Sequence, residues 1–194
     1  MLVDINQQKT FFQALLFLNM RELKTICLHF KLPAQNEKIT LIENITTYVT
    51  TGKKIAQKTI PAISKAHPKT IYPLAPETLI LKGAFKNDLK TRIFLKQLIG
   101  DHFHYTAYGI DWIKNNWLKG TPPTYAEFAI YWQAEYQNRQ INKAPLKQEW
   151  AYLNFLDHYK SQYPFALKEQ AIIAWKIERE KQVQKVKSIL GINL

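Results

Sequence analysis

Apolar residues recur along this chain with a helical period. In Met20–Val49, MRELKTICLHFKLPAQNEKITLIENITTYV, the positions Leu23, Ile26, Cys27 and Phe30 fall at i, i+3, i+4 and i+7. That spacing places one apolar stripe on a 3.6-residue helix. Asn19 stands at the N-cap position with Glu22 three residues on, a capping box. Pro33 disfavours helical geometry at the residue before it, so the helix is expected to end near Lys31 or Leu32. A second helix is expected from about Ile39, with Leu41, Ile42, Ile45 and Val49 on one side. The two faces predict a small helix–turn–helix core whose exposed turn carries Asn36 and Lys38.

These residues resemble the SAP domain, a helix–extended loop–helix module whose family binds DNA. The resemblance rests on Leu23-Lys24, Leu32-Pro33, Lys38, Leu41-Ile42 and Ile45. Asn36 stands where the family usually has Gly, and Asn tolerates the positive φ such a turn can require. Glu37 and Asn44 depart from the family pattern, each placing a non-basic residue where a basic one is common. The resemblance implies phosphate contacts at Asn36, Lys38 and Thr40, flanked by Arg21, Lys24 and Lys31 and extended by Lys53 and Lys54.

Upstream, Phe11–Met20 (FFQALLFLNM) is too short to span a bilayer and is expected to be a helix packed on the SAP-like pair. From Gly52 to Pro76 the pattern breaks. This stretch carries Pro61, Pro68, Pro73 and Pro76, with Lys53, Lys54, Lys58, Lys65 and Lys69 and no acidic residue. Dense proline excludes a long helix and like charges discourage compaction, so an extended basic linker is expected over 52–78.

Residues 79–194 are expected to form one helical bundle with an internal repeat over about 108–135 and 151–178. A shift of 43 residues superimposes Ile110 on Leu153, Trp112 on Phe155, Ile113 on Leu156 and Trp132 on Trp175. Each copy reads as two helices around a turn. Thr124 and Glu127 form a second capping box ahead of a helix over Tyr125–Glu135, and Ala166–Lys185 is expected to be the corresponding helix of the second copy. A further helix is expected over Asn87–Ile99, ended by Gly100. Thr124-Tyr125, Phe128 and Trp132, echoed by Ala171, Ile172 and Trp175, resemble a poorly characterised helical domain that follows SAP modules in bacterial proteins. No β-alternation is evident, so the fold class expected is all-α: SAP-like domain 1–51, linker 52–78, bundle 79–194.

Charge sharpens the functional expectation. The 27 basic against 15 acidic residues give a net charge of +12, which favours polyanionic partners. The single cysteine, Cys27, lies on an apolar helix face and supports neither a disulfide framework nor a thiolate metal cage. A reducing, cytoplasmic setting follows as an expectation, with association to the bacterial nucleoid included in it. No Gly-rich phosphate loop or nucleophile elbow exists. His102 and His104 form an H-x-H pair without a third ligand in sequence, and the carboxylates are dispersed. The aromatics recur at helical spacing with Ile, Leu and Ala and are expected to form a core, with Tyr105, Tyr108 and Trp117, which border turns, as the candidates for exposure. No catalytic residue, cofactor or metal is therefore assigned. The expectation is a non-enzymatic protein that binds DNA or another polyanion with low sequence specificity and does not insert in membranes. The alternative is an adaptor that docks a protein partner through the helical bundle.

Overall fold

The computed structural model describes residues 4, 7–56, 59–142 and 144–194. The fold is all-α. Its described residues form eight α-helices, one 3-10 turn and two isolated β-bridges. The helices are α1 (Gln8–Leu16), α2 (Met20–His29), α3 (Lys38–Thr51), α4 (Leu89–Ile99), α5 (Ala107–Lys119), α6 (Tyr125–Ile141), α7 (Ala151–Gln162) and α8 (Lys168–Leu190). They divide into two compact units, one built from residues 1–57 with 145–194 and one from 58–144.

In the first unit, α1 packs against α3 and α8, α2 lies on α3, and α7 lies on α8. The core is aliphatic. Leu23, Ile26 and Cys27 from α2 meet Leu41, Ile42, Ile45 and Val49 from α3, and Ala14 and Leu15 come from α1. Val183, Val186 and Leu190 from the end of α8 complete it, together with Ala151 from α7. The expected separation of 1–51 from 79–194 is therefore corrected. The C-terminal helical pair belongs to the same core as the N-terminal helices: α8 packs against α1, and its Val183, Val186 and Leu190 join the cluster that α2 and α3 line.

In the second unit, α6 packs against α4 and α5. Its core is aromatic: Phe103, Trp117, Tyr125, Phe128 and Trp132 are buried among Ile80, Leu95, Ile99 and Ile113. Trp112 stacks on Tyr131 with centroids 4.4 Å apart, and Trp132 stacks on Tyr136 at 5.1 Å. The buried indoles are satisfied by loop carbonyls: Trp117 Nε1 donates to Ile80 O at 2.6 Å and Trp132 Nε1 to His104 O at 3.0 Å. Trp117 is thus a core residue, not an exposed one. Tyr105 is half-buried, and the Tyr108 ring lies 4.3 Å beneath the Arg139 guanidinium.

The proline-rich stretch is also corrected. Its described residues after Ala56 are no free tether but part of this unit. Ile60, Leu74 and Phe85 pack against the aromatic cluster, and Ser64 is buried. Ala66 N donates to Lys82 O and Lys82 N to Ser64 O, both at 2.9 Å, while Tyr125 N and Ala126 N bond to Thr78 O and Pro76 O. Proline removes helix from the menu but leaves carbonyls free to accept. Lys65 and Lys69 stay exposed, and Lys58 lies outside the described residues.

Candidate nucleic-acid interface

The α2–loop–α3 segment is built by its ends. Asn19 accepts from Glu22 N at 3.0 Å, and Asn19 N donates to Glu22 Oε2 at 2.7 Å, closing the expected capping box. Glu22 also receives Arg179 of α8, whose Nη2 donates to both carboxylate oxygens at 2.7 and 2.6 Å. At the other end, Lys31 N donates to Leu28 O at 3.1 Å and Leu32 N to Cys27 O at 2.7 Å. That pair of bonds is a Schellman motif, and the buried Leu32 supplies its hydrophobic contact. The left-handed position it needs is occupied by Lys31, at φ 54°. Asn36, expected to take that conformation, does not; among the described residues Lys31 alone of the non-glycines does. The turn is closed at the helix exit and not in the loop.

Of the expected contact residues, Arg21, Lys31, Lys53 and Lys54 are exposed and Lys24 is half-buried. Arg21, Lys24 and the exposed Leu28 follow at i, i+3 and i+7 on one face of α2, and Lys31 continues past its end. Gly52 ends α3 in the left-handed region at φ 70°, which turns the chain so that Lys54 Nζ donates to Lys31 O at 3.1 Å. Lys53 is exposed beside it. The basic residues at the exits of α2 and α3 therefore meet at one corner.

Lys38 departs from the expectation. It is half-buried and donates to Leu16 O, the last residue of α1, at 2.6 Å. A cation there offsets the unpaired carbonyls and negative dipole of a helix end. Burial, followed by the charge of Arg179, lowers its pKa against the raising influence of Glu149 and Glu22. Lys38 is a structural residue of the first unit. Asn36 likewise points inward, its amide nitrogen buried and without a hydrogen-bond partner among the described residues. Thr40 is half-buried in the first turn of α3, and Glu37 provides no side-chain cap there. Asn44 is buried, so it bears on packing and not on charge at the surface.

Beside Lys38 lies a cavity of about 380 Å³ walled by Phe17, Trp150, Tyr152 and Trp175, with Glu149 and Arg179 at its polar side. Of the charged residues lining it, Lys38, Glu149 and Arg179, the last is paired with Glu22 at 2.6 Å. Arg179 and Glu149 were invisible to sequence reasoning, since Arg179 meets Glu22 across 157 residues. Cys27 is free and fully buried, and desolvation pushes its thiol up to about 11. His102 and His104 pack on Trp132 at 5.5 and 5.6 Å. Among the described residues no group of three or more His, Cys, Asp or Glu is placed to hold a metal ion, and no helix is long and apolar enough to cross a membrane.

No protein-family model, curated protein or solved structure matches the chain.

Proposed function

We propose that this protein is a non-enzymatic nucleic-acid-binding protein that holds duplex DNA, with low sequence specificity, through the α2–loop–α3 segment of its first unit. The observation that carries this is the basic edge of exposed Arg21, Lys31, Lys53 and Lys54 with half-buried Lys24, tied at its corner by the Lys54–Lys31 bond. Phosphates are met by flexible ammonium and guanidinium groups on one helix face, which track a backbone without reading base edges. The net charge of +12 adds long-range attraction. Lys38 is left out of this footprint because its ammonium already serves α1. The test is a fluorescence-anisotropy titration against duplex DNA, single-stranded DNA and RNA at several salt concentrations, with Arg21, Lys24 and Lys31 replaced together by Gln. Three lost phosphate contacts should reduce the log–log salt slope by roughly 2.7. An unchanged slope sinks the footprint.

A second reading, a protein-docking adaptor, is favoured by Glu37, whose carboxylate stands at the N-terminus of α3 where a phosphate would otherwise be welcome. Binding that resists nuclease treatment and is indifferent to salt selects it.

A further inference from the structure

The charge of the second unit is gathered on one part of its chain. Residues 59–96 carry seven basic side chains against two acidic ones, whereas 97–142 carry three against four. Within the first stretch two lysines are set face to face. Ala66 N donates to Lys82 O and Lys82 N to Ser64 O, both at 2.9 Å, so Lys65 and Lys82 are the paired residues of a parallel bridge. Residues paired in this way carry their side chains on the same side, on backbones about 4.8 Å apart. Both lysines are exposed, and among the described residues neither ammonium has a hydrogen-bond acceptor or a carboxylate partner. Like charges opposite one another on a ladder repel. The bonds that impose the pair run between main-chain atoms, so nothing in the fold requires both side chains to be cationic. An anion lying between the two ammonium groups removes the repulsion and is attracted by both.

We infer that the Lys65–Lys82 pair is a second phosphate contact, by which the second unit grips the backbone of a nucleic acid. The inference takes its partner from the proposed function, but its geometry belongs to the second unit alone. A phosphodiester fits the pair, since its charge is shared by two oxygens and each lysine can take one. The turn beyond the bridge adds a third cation. There Thr70 N donates to His67 O at 3.1 Å and His67 N to Tyr72 Oη at 2.9 Å, and Lys69 is exposed on the turn so closed. Lysines used in this way are flexible point charges that position a backbone and read no base. Ile63 and Ile71 are exposed on either side, too little apolar area to hold a membrane face, so a nucleic acid is favoured over a lipid surface. The pair adds two contacts to the five of the first unit.

The experiment is an anisotropy titration of the full chain on one DNA duplex over a range of salt. Lys65 and Lys82 are replaced together by Gln, alone and on top of the Gln variant of Arg21, Lys24 and Lys31. Two lost contacts should reduce the log–log salt slope by roughly 1.8 in either background. Lys119→Gln, at an exposed lysine of α5 in the same unit, should leave the slope unchanged. The melting of the double variant should not fall, because the substitution ends a repulsion and touches no main-chain bond. If the first-unit variant keeps the wild-type slope while the lysine pair lowers it, the first-unit footprint fails and this contact stands. The reverse result overturns the inference. It is also overturned by a wild type that binds no duplex, or by a double variant that loses phosphatidylserine vesicles while its DNA slope stays unchanged.

Discussion

The two units solve the same problem with different materials. The first buries leucine, isoleucine and valine, and Phe11 is the one aromatic among its fully buried positions. The second buries Phe103, Trp117, Tyr125, Phe128 and Trp132 over a shorter stretch of chain. An aliphatic core is assembled from many small contributions and recruits helices from both ends of the sequence. An aromatic core gains more area per residue but needs partners for its polar edges: the carbonyls of Ile80 and His104 supply them to the indoles of Trp117 and Trp132, while the Tyr105 hydroxyl is buried without a hydrogen-bond partner among the described residues. Neighbourhood in sequence is therefore a poor guide to shared core in the first unit and a good one in the second.

The largest expected effect tests the recruitment of α8. Val186 is fully buried, and Val186→Asp should cost about 3 kcal/mol or more. Hydrogen exchange should then show α1, α2 and α3 losing protection together with α8. Fraying confined to α7 and α8 would mean the C-terminal pair is not part of that core. In the second unit, Trp132→Ala should cost about 3–5 kcal/mol and expose the amides of α4, α5 and α6. Chemical denaturation of both variants gives the comparison directly.

Alkaline pH separates the units by chemistry. Burial raises Cys27 from 9.0 to about 11, so the unfolded chain releases this proton first and the first unit loses stability between those values. Burial raises Tyr105 and Tyr125 from 10.0 to about 12, placing the corresponding loss in the second unit one step higher. Exchange protection followed against pH should fall in α2 before α6, and Cys27→Ala should remove the earlier phase. The smallest effect concerns the strained Lys31. Lys31→Gly should stabilise the first unit by about 0.5–1 kcal/mol, since glycine takes a positive φ without penalty, while weakening any phosphate contact made there. Melting and anisotropy measured on the same variant pull these apart.

What the sequence shows clearly is what is local. Both capping boxes, Asn19 with Glu22 and Thr124 with Glu127, close as their i, i+3 spacing implies. The expected helix starts lie within one to two residues of those observed, except that the helix expected over Phe11–Met20 runs from Gln8 to Leu16 and Met20 opens α2. α6 runs on to Ile141, past the expected Glu135, because its last turns carry polar residues and Arg139 pairs with Glu135 at 2.7 Å. The two stretches expected to repeat each form a helical hairpin, α5–α6 and α7–α8, yet Trp132 is buried in one unit and Trp175 stacks on Phe17 in the other at 5.1 Å. Matching side chains at matching spacings cannot say which face each hairpin closes. Proline density likewise predicts the absence of helix over 59–78 but not the packing of Ile60 and Leu74. The surface on which the proposed site rests was legible in part. Arg21, Lys31, Lys53 and Lys54 fall on exposed positions and Lys24 on a half-buried one, whereas the burial of Lys38 depends on where α1 ends, a tertiary fact.

The most direct test of the proposed function is an amide chemical-shift titration of the full chain with a short DNA duplex at low salt. The account predicts perturbations concentrated at residues 21–31 and 53–54, fading as salt rises. Shifts confined to α7, α8 or the aromatic unit, or no shifts at equimolar duplex, would contradict it.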